Sequence, residues 1–153
     1  MFMKPINNGG VTLIELVVVF VIIAIMAGLL VPNIGAWLQN YRLGSATRDI
    51  VSTMRTAQMR AVSTNSRYRV NFDVAGNGYM LQSQTTSGLW VNDGATQNLP
   101  TGVTFKDADF GGASQAVFNS NSTSSAGSVT LQNTKGATKR ISFTSATGRA
   151  NIN

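Results

Sequence analysis

One stretch limits what this chain can become: Val11–Val31, 21 residues in which Glu15 is the only charge. As a helix rising ~1.5 Å per residue it would be about 30 Å long, the thickness of a bilayer core. A cleaved secretory signal would have a shorter apolar stretch ending in an Ala-x-Ala-like site. Here the run continues through Gly28-Leu29-Leu30-Val31 to Pro32, so the segment reads as retained in the mature protein. A carboxylate inside such a helix costs roughly 2.5–3.5 kcal/mol at the bilayer centre, and less near an end. The apolar run offers Glu15 no counter-charge, so the partner has to come from elsewhere.

Composition removes most chemistry. The chain has no cysteine and no histidine, which excludes disulfides, thiolate nucleophiles and the commonest general base and metal ligand. Its six acids are Glu15, Asp49, Asp73, Asp93, Asp107 and Asp109, and no Gly-x-Ser-x-Gly elbow or Ser-x-x-Lys pair accompanies the many serines. Catalysis is not expected, nor is a cofactor. Asp73–Gly78 and the Asp107/Asp109 pair offer oxygen ligands, but the first lacks the further acids of a calcium loop and reads as a hairpin turn. Asp107 and Asp109 would share one face of a strand and splay in a loop, and no metal is expected at either.

With 153 residues the chain has room for one domain with a modest core. Residues 1–10 form a polar leader, 11–31 the apolar helix and 32–62 an amphipathic helix, with Pro32 a tolerated kink between them. In the second helix Leu43, Ala46, Ile50, Met54, Ala57 and Ala61 recur every three or four residues and mark a buried stripe. Arg48 and Arg55 fall on one flank, and Arg42, Arg60 and Arg67 on another. Together with Arg69 they read as a solvent-facing or inter-subunit side. From 63 to 153 the texture turns to strands: Tyr68–Phe72, Tyr79–Gln84, Val103–Lys106, Ala116–Asn119, Ser128–Asn133 and Arg140–Thr144, separated by glycine- and asparagine-rich turns. The expected fold is α+β, a long N-terminal helix packed on an antiparallel sheet. Ser120–Ser128 is low in complexity and reads as a mobile loop.

Gly10-Val11-Thr12-Leu13-Ile14-Glu15-Leu16-Val17-Val18-Val19 closely resembles the processing signature of type IV prepilins and type II secretion pseudopilins. The resemblance implies that a prepilin peptidase cuts between Gly10 and Val11 and then methylates the Val11 amine. Val11 itself departs from the phenylalanine or methionine usual at that position. Farther along, Tyr68-Arg69-Val70-Asn71-Phe72, Leu89-Trp90, the Leu-Pro-x-Gly-Val-x-Phe element at Leu99–Phe105, and Lys139–Phe143 running into Gly148-Arg149 are similar to the GspH/FimT group of minor pilins and pseudopilins.

That resemblance supplies the missing charge. In filaments of this class the glutamate faces the N-terminal amine of a neighbouring subunit, which places Glu15 in subunit assembly and neutralises two costly buried charges at once. It also implies a single-pass inner-membrane protein with a periplasmic C-terminal domain, whose partners are the peptidase, lipid and other subunits. Arg42 and Arg48 beyond the span, against Lys4 before it, point the opposite way under the positive-inside rule. Some FimT-type minor pilins bind DNA through a C-terminal Gly-Arg-x-Arg element. Here the stretch is Gly148-Arg149-Ala150-Asn151, lacking the second arginine, so Lys135, Lys139, Arg140 and Arg149 read either as a DNA contact or as a charged sheet edge that prevents strand pairing. Pilus and secretion system share this N-terminal code.

Overall fold

A computed structural model describes residues 10–30, 34–145 and 150–153. The leader before Gly10, Pro32 with its expected kink, and Gly148-Arg149 lie outside the described residues. The chain divides into two compact units, Met1–Gly35 and Ala36–Asn153.

The first unit contains α1, Leu13–Leu30, 18 residues. Thr12 precedes it, and its Oγ1 accepts a hydrogen bond from the Glu15 backbone N–H at 3.3 Å. Thr12-x-x-Glu15 is thus a capping-box sequence, with threonine as the cap and glutamate three residues in, where a negative charge also suits the helix dipole. At 1.5 Å per residue α1 is about 27 Å long. Among the described residues no helix is long and apolar enough to cross a membrane. The apolar sequence, however, extends to Val11 on one side and Val31 on the other.

The second unit opens with α2, Ile34–Ser63. Its whole expected stripe is buried: Leu43, Ala46, Ile50, Met54, Ala57 and Ala61, with Val51 and Thr47 beside it. The buried Thr47 hydroxyl is satisfied by donating to the Leu43 carbonyl at 2.7 Å. The helix stops at a Schellman motif. Asn65 takes a left-handed conformation (φ 50°), Ser66 N–H bonds Ala61 O, and Asn65 N–H bonds Val62 O.

Nine strands follow: β1 Tyr68–Asp73, β2 Gly78–Gln84, β3 Trp90–Asn92, β4 Gln97–Asn98, β5 Val103–Asp109, β6 Gln115–Phe118, β7 Gly127–Asn133, β8 Thr138–Phe143 and β9 Ala150–Ile152. They form two antiparallel sheets rather than the one expected. The first has the order β3-β2-β1-β6, with β4 also pairing β2, and the second β5-β7-β8-β9. The chain leaves the second sheet after β5, adds β6 to the first, and returns as β7. Residue alternation shows which face a strand buries but not which strand it pairs with. Both inner faces and the α2 stripe contribute to one core, in which Phe72 meets Phe105 edge-on at 5.7 Å and Phe118 meets Phe143 at 6.3 Å.

Strand β5 runs three residues past its expected end at Lys106. Its register shifts between Phe105 and Asp107, a β-bulge that leaves both Lys106 and Asp107 outside while Phe105 and Ala108 stay inside. The low-complexity stretch also differs from expectation. Asn119 and Ser125 bond back to Thr123 and Val117, Ser124 bridges Phe118 and is buried, and Gly127 already belongs to β7. A Cβ at Gly127 would lie 2.7 Å from Phe110 Cα and collide with the Asp109 carbonyl. Gly127→Ala is therefore expected to cost at least the ~1–3 kcal/mol of an overpacked site, read as a lowered urea midpoint.

Candidate functional site

The N-terminal site begins before the helix. Gly10, Val11 and Thr12 precede the first helical residue, and Val11 is 73 % exposed, so the Gly10–Val11 bond is open to a second protein. An added Cβ on Gly10 would meet nothing among the described residues. Five residues on, the Glu15 carboxylate has no hydrogen-bond or ion-pair partner among the described residues. Around and beyond it twelve large apolar side chains of α1, from Leu13 to Met26, are 46–81 % exposed. At ~2 kcal/mol each, leaving them in water would cost on the order of 20 kcal/mol.

Lys135, Lys139 and Arg140, the described basic residues near the C-terminus, do not share one face. Lys135 sits in the β7–β8 turn, where Asn133 Oδ1 accepts the N–H groups of Lys135 and Ala137. Lys139 and Arg140 are consecutive on β8 and point to opposite faces. Lys139 pairs in register with the buried Leu131, whereas the exposed Arg140 pairs with Thr130. Arg149 lies outside the described residues. The other arginines scatter as well. Arg42 donates to the Thr101 carbonyl at 3.0 Å, Arg60 pairs with Asp93, and Arg67 and Arg69 lie past the end of α2. Arg69 projects from β1 between the side-chain oxygens of Gln82 and Gln115, with its guanidinium 4.4 Å from the centre of the Trp90 ring. Partial burial lowers its pKa. That clamp was not evident from sequence, because it needs four strands in register.

A polar cavity of about 370 Å³ lies between α2 and the β2–β4 edge, lined by Asp49, Thr53, Arg60, Tyr79, Asp93 and Gln97 among others. Burial raises the Tyr79 pKa, and its hydroxyl donates to Gln97 Oε1 at 2.8 Å. The Arg60–Asp93 pair at the rim is solvent-exposed, so Asp93→Asn is expected to change stability by less than ~1 kcal/mol in urea denaturation. Asp73 and Asp109 are committed to turns, accepting from Gly76 N–H and Gly112 N–H at 2.8 and 2.7 Å. Asp107 and Asp109 share the exposed face of β5. Among the described residues no three acids, histidines or cysteines stand together.

Residues 46–148 match the family described as Type II transport protein GspH. The chain belongs to the GspH family. Residues 6–31 of this GspH-family chain also match the prokaryotic N-terminal methylation motif, which covers Gly10, Val11 and Glu15. No curated protein sequence matches the chain. Its fold is similar to that of the minor pseudopilin EpsH from the type 2 secretion system of Vibrio cholerae, with TM-score 0.62 at 9 % identity over 73 % of this chain and 96 % of that one. A second EpsH structure from the same organism gives 0.60 at 12 % identity, covering 75 % and 94 %. The type IV minor pilin FimU of Pseudomonas aeruginosa gives 0.58 at 16 % identity, covering 76 % and 92 %. At these identities the likeness is one of fold, and it bears out the α+β architecture expected from sequence.

Proposed function

We propose that this GspH-family chain is a peptidase-processed minor pilin or pseudopilin that enters a helical filament through α1. The observation that carries this reading is the uncovered circumference of α1, with an unpartnered carboxylate in its first turn. Before assembly the apolar surface is covered by inner-membrane lipid, with the second unit in the periplasm. In the filament it is covered by neighbouring helices. Prepilin peptidase cleaves Gly10–Val11 and methylates the new amine, and Glu15 of one subunit faces the Val11 amine of another. The protein works by packing and recognition, without chemistry.

The protein acts at initiation or at the tip; of this, the minor-subunit part is supported by the similar folds, which are themselves a minor pseudopilin and a minor pilin. It is tested by the stoichiometry of purified filaments. The chain is expected far below the major subunit, and equal amounts would refute a minor role.

DNA uptake is the alternative function, and the opposed faces of Lys139 and Arg140 argue against it. A joint Lys139→Ala, Arg140→Ala variant is expected to change the salt slope of any duplex binding by less than the ~0.9 that one lost phosphate contact gives. A change of one or two contacts would restore the DNA reading.

A further inference from the structure

Trp37 and Tyr41 lie one turn apart on α2 with their rings stacked, 5.5 Å between centroids and 22° between planes. Both are more than half exposed, 63 % and 55 %. The opposite side of the same turns is fastened to the domain: Gln39 lies against Gly102, Arg42 donates to the Thr101 carbonyl, and Leu43 is buried. The aromatic pair therefore points away from the body and contributes nothing to the core. We propose that Trp37 and Tyr41 form an interfacial anchor seated in the phospholipid headgroup layer, which sets how deep the chain sits before it is drawn into a filament. This rests on the membrane-anchored reading above and adds the residues that fix the depth.

Three observations favour lipid as the occupant. Trp37 follows Val31, the last residue of the apolar run, by six positions, so the chain places it at most ~20 Å from the run's end, and ~9 Å away if helical. The headgroup layer begins there and is several Å deep. Tryptophan and tyrosine each carry an apolar ring with one polar hydrogen-bonding group, the chemistry that suits the boundary between hydrocarbon and water. Finally, residues 16–48 contain no acid, while Arg42 and Arg48 follow the aromatic pair, so nothing in the stretch repels an anionic headgroup.

The chain has two tryptophans, and each can be made the sole reporter. Full-length Trp90→Phe and Trp37→Phe variants would be placed one copy per nanodisc of phosphatidylcholine and phosphatidylglycerol, with a nitroxide on either the headgroup or the acyl-chain end. The headgroup nitroxide is expected to quench Trp37 more than the chain-end nitroxide does, and more than it quenches Trp90. Trp37 emission indifferent to the headgroup label, with the spectrum of a water-exposed indole, would overturn the proposal. So would quenching strongest at the chain end. Protection appearing only when other subunits are added would assign the pair to a protein contact and overturn it equally. Failure of the chain to enter the nanodisc would bring down the membrane-anchored reading, and this inference with it.

Discussion

Replacing Glu15 by glutamine is expected to abolish co-assembly while leaving the helix and its membrane insertion intact. Glutamine serves at the third position of a capping box as glutamate does, so the Thr12 cap survives. Only the charge is lost. If that charge faces a neighbour's buried amine, the substitution leaves the amine unpaired, a penalty of about 3–5 kcal/mol and on the order of 100-fold or more in recruitment. The readout is the fraction of the chain recovered in sheared filaments. Thr12→Ala supplies the contrast, since it removes the cap, worth ~1 kcal/mol, and keeps the carboxylate. Were Glu15→Gln to assemble normally while Thr12→Ala failed, Glu15 would be a helix cap and the inter-subunit pairing would be wrong.

Phe118→Ala is expected to be the most damaging single change in the second unit. The ring is almost fully buried (1 % exposed), packs edge-on against Phe143, and sits where β6 bridges back to Ser124. Its removal should cost ~3–5 kcal/mol, a large share of the ~5–15 kcal/mol that holds a domain of this kind together. Urea unfolding of the full chain in detergent should show a lower midpoint with an unchanged slope. Trp37→Ala, equally aromatic but exposed, should stay within about 0.5 kcal/mol of the parent. Equal losses for the two would mean that the core does not lie where the burial places it.

The helices and the hairpin faces were legible in the sequence because their signals are local. The six-residue stripe of α2 was read residue for residue, and the helix end was missed by one position, at a Schellman motif built on Asn65. Strand β5 was cut short because apolar spacing changes from two to three between Phe105 and Ala108, which looks like an ending and is a bulge. Strands β3, β4 and β9 were missed because they are two or three residues long and mostly exposed, with no alternation to detect. The division into two sheets depends on which strands pair across long stretches of chain, and side-chain pattern says little about that.

The candidate site divides in the same way. The segment holding Gly10, Val11 and Glu15 stands out in sequence because its pattern is one of spacing along a single stretch, and the methylation-motif match falls on that stretch. Of the basic C-terminal group, Arg149 lies outside the described residues. Lys139 and Arg140 are adjacent in the chain, yet β geometry turns them to opposite faces. The Arg69–Trp90 clamp and the Trp37–Tyr41 stack went unread for the opposite reason. The first joins residues 21 positions apart through sheet register, and the second was hidden among the apolar positions of an amphipathic helix.

The central claim is that the chain is made to be cut at Gly10 and assembled through the end so created. Intact-mass measurement of the protein isolated from membranes of cells with an active prepilin peptidase tests it most directly. The expected mass is that of residues 11–153 plus one methyl group, located on Val11 by fragmentation. The mass of the uncut chain, with Gly10–Val11 intact, would contradict it.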